Sequence, residues 1–388
     1  MLEGVRVVQL ASLLPGPLCC KMLMDMGAEV VMIERPHAGD PLRAMLLGPH
    51  LGGPMFSALN AGKSSLVCDV TKPTQVEQLH SNWLCPADVL VLSVRPGSLD
   101  ACGLGVDTLR QRHPHLIVCC ITGYGLTGPL AKRAGHDLNY VARSGVLGMS
   151  AGEHPRPLPV QVADVAGGAY AAALQITAAL VKACRDPQGC ARRGCLIDVS
   201  MTDVSASLLI GSEPLRVALD GVEDMTRGGF PLCGGVPCYD VYPTKDGRHV
   251  VIGALEAPYW RKVIALLSLP DEFQSASAQY AMGSNGDAIR QRIAAATRQR
   301  TWREWCDVLE GVDVMMDPVF LPGEAARSAH FRHRFPSRPD PSMLPGTAVG
   351  IVGSGAECRG GGTAPQLGST PLTDSWKDAT RRPPPSKL

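Results

Sequence analysis

The chain has 388 residues, longer than one hydrophobic core usually extends, so two domains are expected. It is 45% hydrophobic and 19% charged, which excludes disorder of the chain as a whole. Lys+Arg 37 against Asp+Glu 36 leaves a formal charge of +1, so no electrostatic ground exists for nucleic acid or an acidic membrane surface as partner.

The N-terminus, Met1-Leu2-Glu3-Gly4-Val5, enters a strand pattern without the charged and apolar regions of a secretory signal. The runs Val5–Gln9 and Glu29–Ile33 read as strands, with a helix over Pro17–Met26 closed by Gly27. Ser65–Val70, Asp88–Ser93 and Leu116–Thr122 repeat the strand pattern, separated by helical Gln75–Trp83 and Val106–Gln111. This alternation predicts a doubly wound α/β plan, a Rossmann-like large domain with a mainly parallel sheet. The turn after the first strand, Leu13-Leu14-Pro15-Gly16-Pro17, is not a dinucleotide fingerprint. Asp164–Cys184 reads as one long helix of small residues, and Cys195–Val199 as a further strand. The apolar stretch near Ala169–Val181 is broken by Tyr170, Gln175 and Thr177, so no membrane span is expected. Fourteen cysteines then read as reduced thiols rather than a disulfide framework.

The glycine-rich run Arg227–Gly235 reads as a linker or an active-site loop. Beyond it, strands Tyr239–Tyr242 and His249–Ala254 join through Lys245-Asp246-Gly247. Helices Ala257–Leu267, Asp287–Thr297 and Thr301–Leu309 follow, the last opened by a Thr301/Glu304 capping box. The expected division is a large α/β part over 1–200 and a connecting helix and loop over 201–235. A smaller α+β domain over 236–320 and a return to the large domain over 321–388 complete it. Gly and Pro accumulate from Pro336, which predicts an extended, partly mobile tail.

Chemistry concentrates in Gly135-His136-Asp137-Leu138-Asn139-Tyr140 and in Val162-Ala163-Asp164 at a helix start. An imidazole and a separate carboxylate are two candidate bases from different segments. Asp164 reads equally as an N-cap, and the glycines after it, Gly167 and Gly168, as a close approach for substrate. The helix start offers N–H donors to a developing oxyanion. Glu256 ends a strand and reads either as a solvated strand end or as a carboxylate that orients a catalytic histidine. Arg35, Lys63 and Arg95 stand where strands are expected to end, and together form a candidate phosphate-binding set. His113/His115 and His330/His333 lack the spacing and carboxylate support of a metal site, and none is expected.

These segments together resemble the family III CoA-transferase superfamily, and within it the racemases of α-methylacyl-CoA. The likeness runs from about residue 4 to about residue 371. Its anchors are Leu14-Pro15-Gly16-Pro17, Ile33-Glu34-Arg35-Pro36, Asn60-x-Gly62-Lys63, Arg95-Pro96-Gly97, Ala134–Tyr140, Val162-Ala163-Asp164, Gly253–Glu256 and Glu304-Trp305. It implies that Asp164 is the nucleophile if the chain is a transferase and a base if it is a racemase. The Gly-His-Asp-x-Asn-Tyr signature belongs to the racemase branch and makes His136 the other base, with Asp137 in the catalytic set. The resemblance also implies Glu256 as the partner of the histidine. The chain departs from the racemase pattern at Cys233, where an aspartate is usual, and at Ala101, where an arginine is usual.

The resemblance further implies an isomerase that epimerises C2 of 2-methyl-branched acyl-CoA thioesters through an enolate. CoA enters as part of the substrate, with no separate cofactor and no metal. Arg35, Lys63, Cys68, Asp69, Arg95, Gly135, Asn139 and Tyr140 form the implied CoA-binding set, with Cys68-Asp69 along the adenine-ribose side. The implied assembly is an interlocked homodimer, in which Glu256 comes from the second copy. The alternatives are a CoA-transferase and a catalytically silent CoA-binding homologue. The terminal Ser386-Lys387-Leu388 matches a peroxisomal address read by an import receptor, so a peroxisome or related organelle is the expected location.

Overall fold

The computed structural model describes residues 1–44, 52–150, 154–185, 194–218, 229–335 and 363–376. They form two compact units. The first comprises Met1–Ser144, Leu158–Leu208 and, near the C-terminus, 363–376; the second comprises Gly145–Pro157 and 209–335.

In the first unit, β1 (Arg6–Leu10), β2 (Glu29–Glu34), β3 (Ser64–Val67), β4 (Val89–Leu92), β5 (Ile117–Thr122) and β6 (Leu196–Ser200) make one parallel sheet. Its order is β3-β2-β1-β4-β5-β6. The register runs through Arg6↔Glu29, Val31↔Ser64, Val7↔Val89, Val89↔Ile117 and Val118↔Leu196. The central strands β4 and β5 are wholly buried runs chiefly of Val, Leu, Ile and Cys, as a sheet covered on both faces requires, whereas the edge strands β3 and β6 are partly exposed. All six expected strands are present, and the fold is α/β. The chain leaves β1 toward β2 and β3, then returns to the other side of β1 as β4. The crevice at such a reversal is the ordinary ligand position of an open α/β sheet.

Helix α1 (Pro15–Asp25) follows β1, with Pro15 pre-setting its first turn and Gly27, at φ +110°, reversing the chain after its end. Helices α2 (Gly52–Asn60), α3 (Pro73–Leu79, continued by a π-helical turn through Leu84), α4 (Val106–Arg112) and α5 (Asp137–Arg143) complete the first half. A π-helical stretch over Ala163–Tyr170 runs directly into α6 (Ala171–Cys184). One face of this 22-residue element packs on α1, on β5 and β6, and on α7 (Met201–Ser207). The element is long and apolar enough to cross a membrane by length and composition. The expectation that no stretch reaches that length is therefore corrected: three weakly polar residues do not offset so many Ala, Val, Ile and Leu.

The segment 363–376 is tied down rather than loose. Thr370 donates to the Ser65 carbonyl and pairs in parallel with Leu66. Trp376 meets Trp83 edge-on at 5.2 Å, under the Arg6 guanidinium. The expected mobile tail is corrected for these residues, because Leu372 and Trp376 find apolar partners on the large core.

The second unit includes α8 (Glu213–Ala218) and carries a three-stranded antiparallel sheet. Its strands are β7 (Tyr239–Pro243), β8 (His249–Gly253) and the unanticipated β9 (Met316–Pro318), in that order. Helices α9 (Ala257–Leu266), α10 (Ala276–Gln279), α11 (Gly283–Thr297) and α12 (Trp302–Leu309) pack with it around Trp260, Trp305 and Tyr242. The Thr301/Glu304 capping box is present. The loop 229–235 is fastened to this unit: Phe230 is buried, and Arg290 donates to the Gly234 carbonyl while pairing with Asp240. The sequence pattern sets the return to the large domain at 321, whereas α13 (Pro322–Arg327) and α14 (Ala329–Arg334) belong to the second unit.

Candidate active site

The loop between β5 and α5 is held from below by β6 and α7. Leu126 donates its N–H to the Asp198 carboxylate at 3.0 Å, and Thr202 donates from both backbone and hydroxyl to the Gly123 carbonyl. His136 ends this loop as the N-cap residue of α5, exposed to solvent. Its own N–H donates to Asn139 Oδ1 at 3.0 Å, and its carbonyl accepts from Asn139 and Tyr140. The imidazole therefore starts from a backbone fixed at both ends.

Asp137 binds two helix starts together. Its Oδ1 accepts from the Ala163 N–H at 2.7 Å and the Asp164 N–H at 3.0 Å. It thus caps the helix that carries Asp164, a task the sequence assigns to Asp164 itself. Val165 donates to the Gln161 carbonyl, so the N–H groups of residues 163, 164 and 165 all have protein acceptors. The expected oxyanion donors at this helix start are therefore not free. Among the described residues the Asp137 N–H, at the head of α5, has no protein acceptor.

The expected role of the glycines is also corrected. A Cβ on Gly167 would meet the Met201 carbonyl at 2.8 Å, and one on Gly168 would meet Pro15 Cβ at 2.8 Å. These glycines allow α1 and α7 to approach the helix; protein, not substrate, fills the space. Gly135 is similar, with the Tyr140 ring 2.8 Å from where its Cβ would lie. Tyr140 donates its hydroxyl to the Gly135 carbonyl and stands edge-on to Tyr124.

Asp164 is half-buried with the Asp137 carboxylate beside it. Burial first, and then the like charge of Asp137, push its carboxyl up to about 7. Burial, followed by Asp164 and Tyr124, raises the Tyr140 phenol to about 12, and the charge of Arg95 opposes this rise. Arg95 is exposed on the loop after β4, at the sheet's switch point and within electrostatic reach of Tyr140.

The other two cations part company. Arg35 is exposed after the end of β2, next to a cleft of about 430 Å³ lined by Pro36, His37, Val67, Asp69, Lys72 and Leu372, among others. Lys63 precedes β3 instead of following a strand, and it is 5% exposed. Its ammonium donates to Gln9 Oε1, the Pro17 carbonyl and Asn60 Oδ1 at 2.7–2.9 Å, and burial lowers it to about 8. It is no surface charge but a buried tie between β1, α1 and α2. Cys68 is buried against α3, its thiol pushed up to about 11 by burial and by Asp69. Asp69 borders the cleft, where its carboxylate accepts from both Thr71 groups and faces Lys72 at 3.6 Å. Lys72 and His37 also line this cleft, and no local sequence pattern separates them from ordinary surface residues.

Asp40 joins the loops after β1 and β2. It accepts from Leu13, which holds φ +65°, and from Leu42, while its N–H donates to Glu34 Oε2. Glu34 also receives the forked guanidinium of Arg43 at 2.7 Å. In the second unit Glu256 is the exposed N-cap residue of α9 and makes no side-chain cap bond. Cys233 is half-buried in the turn Pro231–Cys233, and Ala101 lies in the turn Asp100–Cys102. Among the described residues no group of three His, Cys, Asp or Glu could hold a metal ion.

The first unit is thus a doubly wound parallel sheet in which the half-buried Asp164 carboxylate lies against the His136-Asp137 helix start. The chain belongs to CoA-transferase family III, whose profile matches residues 2–370. It is 34% identical to alpha-methylacyl-CoA racemase of Mus musculus over 89% of this chain and 84% of that one. It is 30% identical to succinyl-CoA:glutarate CoA-transferase of Homo sapiens, over 82% and 71% respectively. In structure it is similar to a CAIB/BAIF family protein from Brucella suis, with TM-score 0.76, 26% identity, and 95% and 96% of the two chains covered.

Proposed function

We propose that the protein is an α-methylacyl-CoA racemase, an isomerase that inverts C2 of 2-methyl-branched acyl-CoA thioesters. The observation that carries this reading is the Asp164 carboxyl at about 7 beside the His136-Asp137 helix start. Near neutral pH such a group is protonated in much of the population and serves as an acid as readily as a base. At the same value a comparable share is ionised, as a transferase nucleophile must be, so it is His136 at the helix start, a second base from another segment, that favours the racemase.

Neutral His136 takes the α-proton from one face, and its bonding pair passes into the enolate. Protonated Asp164 returns a proton to the opposite face, and the reverse direction exchanges the two roles. The Asp137 N–H is the candidate donor to the enolate oxygen, since those of residues 163–165 are committed. Glu256 of a second copy is assigned to orient the imidazole. Arg35 and Arg95 are assigned to the CoA phosphates, with Asp69 and Lys72 at the nucleotide end and Asn139 and Tyr140 near the thioester. Lys63 is assigned a structural task in place of a phosphate contact. CoA is part of the substrate, and the reading calls for no metal or separate cofactor.

The homodimer belongs to the same proposal, supported by the exposed apolar side chains Tyr170, Leu174 and Val181 on the long helix. The import signal Ser386-Lys387-Leu388 lies outside the described residues. Its reading as a peroxisomal address is testable on a fluorescent fusion of the last twelve residues, where a diffuse cytosolic signal rejects it.

The decisive assay incubates a 2-methylacyl-CoA with the protein in deuterium oxide. Deuterium at C2, lost in His136→Ala and in Asp164→Asn by about 100-fold or more, is expected. CoA transfer to an added carboxylic acid, insensitive to His136→Ala, supports the transferase. Binding of CoA without either activity supports a silent homologue.

A further inference from the structure

We propose that Gln279 and Tyr280 are positioning residues for Glu256, clamping the turn that carries its carboxylate. The proposal rests on the reading of Glu256 given above, but its grounds are local. Strand β8 ends at Gly253, and the next three residues turn into α9. The Ala254 N–H donates to the Cys238 carbonyl, which fixes the start of the turn.

The carbonyls of Ala254 and Leu255 would otherwise lack a partner here. Gln279, 1% exposed at the end of α10, donates both N–H groups of one amide to them, at 2.9 and 2.8 Å. The Tyr280 hydroxyl donates to the Leu255 carbonyl as well. The Glu256 carbonyl accepts from Tyr259 and Trp260 as α9 begins. Three consecutive carbonyls are thus held, and the backbone under Glu256 has no slack.

The side chain contrasts with this rigid base. At an N-cap position a carboxylate ordinarily bonds the N–H groups of its own helix. Glu256 does not, and among the described residues its side chain makes no hydrogen bond or ion pair. Tyr280 is close enough for the Glu256 charge to act on its phenol, yet its proton is committed to Leu255. A rigidly mounted, exposed and unpaired carboxylate is what an orienting group needs and what a helix cap does not.

The test uses the full-length protein as wild type, Glu256→Gln, Gln279→Leu, Tyr280→Phe and the double variant Glu256→Gln/Gln279→Leu. Each is assayed for deuterium entry at C2, with kcat, KM and the pH profile of kcat. Gln279→Leu is expected to lower kcat about tenfold, with KM held within about twofold and a shifted pH profile. It is expected to add no loss on top of Glu256→Gln. Tyr280→Phe, at a 45% exposed side chain, is expected to lower kcat in the same sense and decides the matter if Gln279→Leu does not fold. Wild-type kcat in the folded clamp variants beside an impaired Glu256→Gln overturns the clamp and leaves the racemase reading intact. Additive losses in the double variant mark a merely structural role and overturn it too. Unchanged exchange in Glu256→Gln overturns the clamp with the role of Glu256, and no exchange in the wild type overturns the racemase reading and the clamp together.

Discussion

Asp137 shows how one carboxylate can set both the geometry and the charge of another. Its hydrogen bonds to the Ala163 and Asp164 N–H groups seat the second helix start, and its charge adds to burial in lifting Asp164 to about 7. The sign follows from the like charges: removing the one on Asp137 makes ionisation of Asp164 easier. Asp137→Asn keeps an acceptor oxygen for the cap, so the pH limb of kcat governed by Asp164 is expected to move toward acid with the fold retained. A pH profile unmoved by this substitution would remove Asp137 from the electrostatics of the site. The motif His136-Asp137 was legible as chemistry, but the task of Asp137 was not, because its partners lie 26 and 27 residues away. Lys63 departs from what its sequence context suggests for a related reason. A cation before a strand looks like surface until its three acceptors, from three elements, are seen to enclose it.

At the scale of elements, the site depends on close helix contact. The stretch Ala163–Tyr170 packs on α1 and α7 with glycine at both tightest points. Gly168→Ala would set a methyl 2.8 Å from Pro15 Cβ and 3.1 Å from Met201 Sδ. Such overpacking is expected to cost about 1–3 kcal/mol, read by urea unfolding. A stability equal to wild type would mean that α1 can retreat at no cost. The same contact explains why the sequence pattern suggests a substrate approach where protein fills the space: Asp-x-x-Gly-Gly is identical for either occupant. Asp40 does comparable service for the loops after β1 and β2, bonding Leu13 on one side and Leu42 on the other. The strand–helix alternation was readable throughout, whereas β9, only three residues long, left no periodic signal.

At the scale of the molecule, the apolar helix face is the unresolved tension. Tyr170, Leu174 and Val181 recur at helical spacing and are 45%, 67% and 37% exposed. In the proposed homodimer a second copy covers this face of the long helix. Leu174→Asp is then expected to shift the species in sedimentation velocity from dimer to monomer, because an aspartate in an apolar interface would have to be desolvated. A wild-type protein that sediments as a monomer, or a variant that remains dimeric, moves the interface elsewhere. The tail divides at the same scale: residues 363–376 belong to the large unit through Thr370, Leu372 and Trp376.

The sequence by itself determined the six-stranded α/β plan, the antiparallel hairpin of the second unit, and the short motifs that mark the family. Each of these is written in neighbouring residues, as a period, a turn residue or a contiguous signature. Only the tertiary structure decided which charges are free. It left Arg35 and Arg95 exposed, buried Lys63 among acceptors, committed the N–H groups at the start of the Asp164 helix, and raised Asp164 toward neutrality. Those outcomes depend on burial and on partners distant along the chain. A residue's type states what it can donate, accept or ionise; the fold decides what stands next to it when it does.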